Sequence, residues 1–234
     1  MAPVGTGGLY PCAVISGKAR LERLGAIAGI VGPILLTLYF GAPALTGWPY
    51  SGASPDALVE YARSHALLFY LGGWLQATGS LLSVLFFLVL LQASGRRNEL
   101  EGALLSLGAA VLLGIVLVEA ALLEAVPIAA AAGDPATVAT TFALSNGVFA
   151  RIFPLAPAPL IFAGIGVALR DSRLLPTPFA TAALLIAGLF VLAGILAVFA
   201  RVGLILAIVM SVVEAVWILA AGITFAVRTS RRVS

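Results

Sequence analysis

Long apolar runs, each interrupted only by a short polar or charged cluster, make up nearly the whole chain. Six of them, about Leu24–Thr46, Ala66–Leu91, Gly102–Ala125, Val148–Leu169, Phe179–Ala200 and Val202–Val227, can each cross a bilayer, which takes about 20 apolar residues. The runs are continuous rather than alternating, which excludes the two-residue period of a transmembrane β-barrel. The pattern predicts an all-α fold: a polytopic bundle of six transmembrane helices.

The breaks between runs carry local signals of their own. Ser54-Pro55-Asp56 has a capping serine, a proline for the first helical position and an acid for the first turn. The helix it starts is expected to run through Tyr61 and Arg63 straight into the second span. Asp134-Pro135 predicts another start, with Pro135–Ser145 lying on the outer surface before Val148 enters the membrane. Trp48, Tyr50, Tyr61 and Tyr70 mark the outer interface, where amphipathic rings favour the headgroup region. Pro154, Pro157 and Pro159 predict a bent or partly unwound fourth span, because each removes a backbone donor and clashes with the preceding turn. Pro33 predicts a similar bend in the first. Gly25, Gly29 and Gly32 form a small face that permits close helix contact.

Composition agrees with the pattern: 62% of the 234 residues are hydrophobic and 10% charged, with a mean hydropathy of +1.13. Soluble domains are roughly 45–50% apolar and about 25% charged. The basic balance does not point to nucleic acid, because its residues flank the apolar runs. Lys18, Arg20, Arg23, Arg96, Arg97, Arg170, Arg173, Arg228, Arg231 and Arg232 fall on one side and only Arg63 and Arg201 on the other. That asymmetry predicts cytoplasmic termini and a multi-pass protein of the inner (plasma) membrane. The expected organisation is a cytoplasmic tail over 1–20, a six-helix domain over 21–228 and a basic tail over 229–234. A single cysteine, Cys12, excludes an internal disulfide and a cysteine-built metal site. No cleavable signal is expected before Lys18.

Against this background the charges inside apolar runs stand out: Glu119, Glu124, Arg151 and Glu214. A charge at mid-bilayer costs about 2.5–3.5 kcal/mol even on lenient scales, so such residues are paired, neutral or beside water. Helical rise places Glu119 about 26 Å and Glu124 about 33 Å above the start of the third span, and Glu214 about 18 Å below the outer face, near the midplane. Arg151 comes out near the outer boundary. In the second span His65, Phe69, Gly72, Gln76, Ser80 and Ser83 follow one helical face, and Ser211, Glu214 and Trp217 share a face of the sixth. These define the candidate ligand-binding residues: Glu214, Gln76, Glu119, Arg151, His65, Trp217 and Ser211. The picture is an outward-facing pocket, with Gln76 and Glu214 at its floor and Glu119, Arg151 and His65 toward its mouth. Each has a plainer role open to it: helix-joining hydrogen bonds for Gln76 and the serines, pairing with Glu119 or Glu124 or snorkelling for Arg151, wet interface for His65.

No cofactor and no metal site is expected. The one lysine, Lys18, lies outside the spans, the one histidine cannot supply bis-histidine haem ligation, and no phosphate-binding glycine loop is present. No catalytic set can be assembled.

Ser54-Pro55-Asp56-Ala57-Leu58-Val59-Glu60-Tyr61-Ala62, leading to His65 and Leu71-Gly72-Gly73-Trp74, together with Ser172-Arg173-Leu174-Leu175-Pro176, resembles a group of bacterial six-helix membrane proteins catalogued as domains of unknown function. The resemblance spans about Leu21 to Arg228 and implies the same topology; it carries no catalytic residue. The leading functional expectation is binding or transport of a small amphiphilic or lipid-like molecule in the intramembrane pocket. The alternatives are a membrane-embedded enzyme on a lipid or isoprenoid, with a protonated glutamate as general acid, and a structural or regulatory subunit. Expected partners are membrane lipids, a small amphiphilic ligand, and either further copies of the chain or another membrane protein.

Overall fold

A computed structural model describes residues 11–49, 53–197 and 200–233. The helices are α1 (Pro11–Thr46), α2 (Pro55–Ser64), α3 (Ala66–Ser94), α4 (Leu100–Ala132), α5 (Pro135–Gly147), α6 (Phe153–Leu155), α7 (Pro157–Ser172), α8 (Thr177–Leu196) and α9 (Ala200–Val233), with a π-helical turn over Val148–Ile152 between α5 and α6. Among the described residues no strand occurs, and six helical segments are long and apolar enough to cross a membrane. Tyr50 and the side chains of Cys12, Arg201 and Arg232 lie outside what is described.

The spanning helices close into a ring in chain order, α1 against α3, α3 against α4, α4 against α7, α7 against α8, α8 against α9 and α9 back against α1. Such an up-and-down ring puts the α3–α4 and α7–α8 links on one face. Arg96 ties that face together, reaching Glu99 at 2.6 Å, Asp171 at 3.3 Å and Glu101 at 3.7 Å, while Arg228 donates to the Leu174 carbonyl at 2.7 Å. It is called the basic face below. The opposite, capped face is covered by α2 and α5, which pack on each other and on the end of α4.

Lipid is as apolar as leucine, so helix association rests on close packing rather than on expulsion of water. The small face of α1 supplies it. A Cβ on Gly29 would meet the Phe86 ring at 2.6 Å, one on Gly32 the Ser83 hydroxyl at 2.8 Å, and one on Gly222 of α9 the Gly29 carbonyl oxygen at 2.5 Å. Glycine is what lets α3 and α9 approach α1 this closely. Toward the basic face the ring interior is filled by aromatics: Trp217 stacks on Phe87 at 5.9 Å and meets Phe162 edge-on at 5.4 Å.

Several boundaries differ from expectation, each for a local reason. The helix from Pro55 does not run into the second span. It stops at His65 (φ −123°, ψ 26°), whose backbone N–H bonds to the Tyr61 carbonyl, so α2 folds over the bundle instead of extending it. Ser54 caps α2 as predicted, accepting from Ala57 N at 3.3 Å. Asp134 likewise caps α5, accepting from Thr137 N at 3.0 Å. The Asp134 carboxyl also accepts from the Thr137 hydroxyl at 2.6 Å, and the two bonds hold it below its usual range. The third span continues beyond Ala125 to Ala132, through Pro127, because Val126, Ala129 and Ala130 bury themselves against the capping layer. Helix α1 starts at Pro11 and α9 reaches Val233, so helix extends into both expected tails. Pro33 lies within the unbroken α1. The fourth span is broken as its prolines predict: the π turn precedes Pro154, and Ala156 (φ −121°, ψ −67°) separates α6 from α7.

Candidate functional site

Four of the seven residues singled out from the sequence line one cavity inside the ring: Gln76, Glu119, Ser211 and Glu214. They come from α3, α4 and α9, and the periodicities that aligned them on their own helices are what turn them inward. Ser80 and Ser83 continue the α3 stripe along the wall, about 10 Å of helix from Gln76 to Ser83. Ser80 is the middle residue of α3, so the cavity sits at mid-height in the bundle. Phe149 and Phe153, held by the π turn and α6, close another side, with their rings stacked 6.2 Å apart. The space open to the centre of a water molecule is about 30 Å³. At roughly 10–15 Å³ per water, that admits about two.

The polar atoms around this space are incompletely matched. Gln76 Nε2 donates to Glu119 Oε2 at 2.6 Å, and the Tyr39 hydroxyl of α1 donates to Glu119 Oε1 at 3.5 Å. Gln76 Oε1 and Ser211 Oγ are buried with no partner among the described residues. Glu214 is 7% exposed, and no hydrogen bond or ion pair joins its carboxyl group to another described residue. Among the described residues no lysine, arginine or histidine lines the cavity. Two carboxyl groups therefore share an apolar interior without a counter-charge, and groups in that position are kept neutral or in contact with water.

The other three lie elsewhere. Trp217 is buried one turn beyond Glu214, donates its indole N–H to the Phe179 carbonyl at 3.1 Å, and backs the cavity wall through Phe87. His65 belongs to the α2–α3 corner: its ring stacks on Tyr61 at 4.3 Å and its Nδ1 lies 3.1 Å from the Tyr61 carbonyl oxygen. Arg151 is exposed on the π turn. Leu155, one turn further on, packs against Gly194 near the capped-face end of α8, so Arg151 sits at the edge of the apolar layer, within reach of headgroups. Among the described residues it makes no ion pair with Glu119 or Glu124, and Glu124 is itself exposed.

Sequence reasoning missed Tyr39. Its signal was a phenol deep in the first span, whose hydroxyl needs a partner in hydrocarbon. The ring of Tyr39 also lines a second, apolar space of about 280 Å³ between α1 and α3, with Ala42, Trp48, Phe69, Gly72 and Leu75. Leu38 and Leu71, both lining it, are 56% and 48% exposed, so this groove lies on the flank of the bundle, in its capped half. Tyr39 stands between groove and cavity: ring toward one, hydroxyl toward the other.

Fold and site together define a polytopic helical membrane protein with an acid-bearing cavity at mid-height and an apolar groove beside it. Comparison with models of known protein families, with curated proteins and with solved structures finds no match to this chain.

Proposed function

We propose that the protein binds, and by extension transports, a small single-chain amphiphile whose tail occupies the α1–α3 groove and whose headgroup reaches past Tyr39 to Glu119 and Gln76. The observation that carries this reading is the adjacency of an apolar groove and a partly unmatched polar cluster with one side chain, Tyr39, between them. The groove, at about 280 Å³, approaches the lower end of the ~300–1,000 Å³ range of small-molecule sites. The cavity alone, with room for about two waters, takes no amphiphile, so the tail belongs in the groove. With two acids and no base among the described residues of the cavity lining, the headgroup that fits is neutral or cationic and donates hydrogen bonds; an anionic one is disfavoured beside the acids. By the basic asymmetry of the links the termini are cytoplasmic, so the groove opens in the outer half of the membrane.

Trp48 lines the groove and reports on it. Bromine on an acyl chain quenches a nearby indole, so the test is quenching of Trp48 in a Trp74→Phe background by brominated monoacylglycerol, alkylamine and fatty acid. Saturable quenching by the first two and not the third is expected. Gly72→Leu, which extends into the groove from a position where a Cβ makes only ordinary 3.5 Å contact with Tyr39, should weaken it at least about tenfold. Glu119→Gln should weaken the alkylamine most. Non-saturable quenching, or quenching equal in all variants, sinks the proposal.

A further inference from the structure

We propose that the cavity holds water through which Glu119 and Glu214 exchange a proton, so that the two acids titrate as one linked pair. The inference concerns the cavity and not the groove, and stands whether or not an amphiphile binds. Three observations support it. The space fits about two waters. Two polar atoms lining it, Gln76 Oε1 and Ser211 Oγ, belong to residues 4% and 2% exposed and have no partner among the described residues; buried polar groups of this kind are ordinarily satisfied by internal water. The acids stand on opposite elements, Glu119 on α4 tied to Gln76 and Glu214 on α9 one turn from Ser211, and all four residues line the same space, so water held there is within the wall that both acids share.

Either orientation of the Gln76 amide leaves an atom for water. Turning Gln76 by 180° exchanges Oε1 and Nε2. A protonated Glu119 would then donate to Oε1, for which 2.6 Å is an ordinary O–H···O length, and Nε2 would be left unmatched instead. Either way one amide atom is left for water.

The groups that face the pair can be named for every surrounding element. α1 contributes the Tyr39 hydroxyl, on Glu119; α3 contributes Gln76, Ser80 and Ser83, none of them charged; the π turn and α6 contribute only Phe149 and Phe153, while Arg151 is exposed; α9 contributes Ser211 and Glu214 itself. Glu124, on α4, is exposed beside Gly73. With no cation among the described residues of the lining, two carboxylates in one apolar space are disfavoured and the pair retains at least one proton. The step is balanced: the O–H of the protonated acid breaks as that proton bonds to water, and a proton of the same water passes to the other carboxylate. Water is regenerated, and the negative charge has moved from one acid to the other.

The test is infrared spectroscopy of the full chain in phosphatidylcholine nanodiscs, following the protonated-carboxyl C=O bands across pH, with Glu119→Gln and Glu214→Gln assigning each band. Removing either acid should move the titration midpoint of the other by about one pH unit or more, the signature of coupled sites. Ser211→Ala removes the hydroxyl without adding bulk to the cavity, and should slow H/D exchange of the Glu214 carboxyl about tenfold. Midpoints that stay put in both glutamine variants overturn the proposal. Should a glutamine variant not fold, Ser211→Ala decides alone: unchanged exchange overturns the link and slowed exchange supports it.

Discussion

At the residue scale, the two buried acids differ in what they do for the fold. Glu119 is tied on both oxygens, by Gln76 at 2.6 Å and Tyr39 at 3.5 Å, whereas Glu214 is tied to none of the described residues. A carboxyl group held in an apolar interior with no partner among the described residues carries a desolvation cost, so Glu214 contributes little to holding the bundle together. Glu214→Met, of similar length and apolar, is therefore expected to stabilise the protein by about 1 kcal/mol, as replacing buried ionisable groups by apolar residues of similar volume often does. Gln76→Leu should act oppositely, stranding Glu119 Oε2 at a cost of about 1–3 kcal/mol. Chemical unfolding in mild detergent measures both. If Glu214→Met destabilises as much as Gln76→Leu, Glu214 is a structural tie and its functional assignment falls. Gains of stability on removing a residue are what a functional group retained at a cost produces.

At the scale of elements, the glycines separate into those that set helix contacts and those that do not. A Cβ on Gly222 would meet the Gly29 carbonyl oxygen at 2.5 Å and its carbonyl carbon at 2.6 Å, both rigid backbone, whereas one on Gly114 of α4 meets nothing within 4 Å. Gly222→Ala must push α9 away from α1 and is expected to cost about 1–3 kcal/mol. Gly114→Ala should be neutral or stabilise by up to about 1 kcal/mol through helix propensity. The same unfolding experiment compares them; equal effects would mean that the α1–α9 contact does not hold the ring. The elements also show where sequence is readable. The Gly25–Gly29–Gly32 face, the Gln76–Ser80–Ser83 stripe, both caps and the proline-broken span follow from spacing alone, because each is set within one helix. The break at His65 has no proline or glycine to announce it. Tyr39 reads as one more aromatic in an apolar run. That Glu119 and Glu214 line one space depends on how the ring closes, and the π turn that brings Phe149 and Phe153 to its wall is a register shift no periodicity encodes.

At the scale of the whole molecule, the ring makes orientation a single yes-or-no quantity. Its up-and-down order puts Asn98, in the α3–α4 link, on the basic face and Ala136, at the start of α5, on the capped face; both are exposed. Basic residues concentrate in the links on the Asn98 side, and such links are retained in the cytoplasm. With Cys12 replaced by serine, a membrane-impermeant maleimide added to intact cells should label Ala136→Cys, and should label Asn98→Cys only after the membrane is opened. The result reaches beyond topology. Trp48, Phe69 and Tyr39 bring the groove into the capped half of the bundle, so the labelling decides which leaflet supplies its occupant. Labelling of Asn98→Cys alone in intact cells would invert the molecule: the groove would then draw from the cytoplasmic leaflet, and the outward-facing site proposed above would be wrong in direction even if its residues were right.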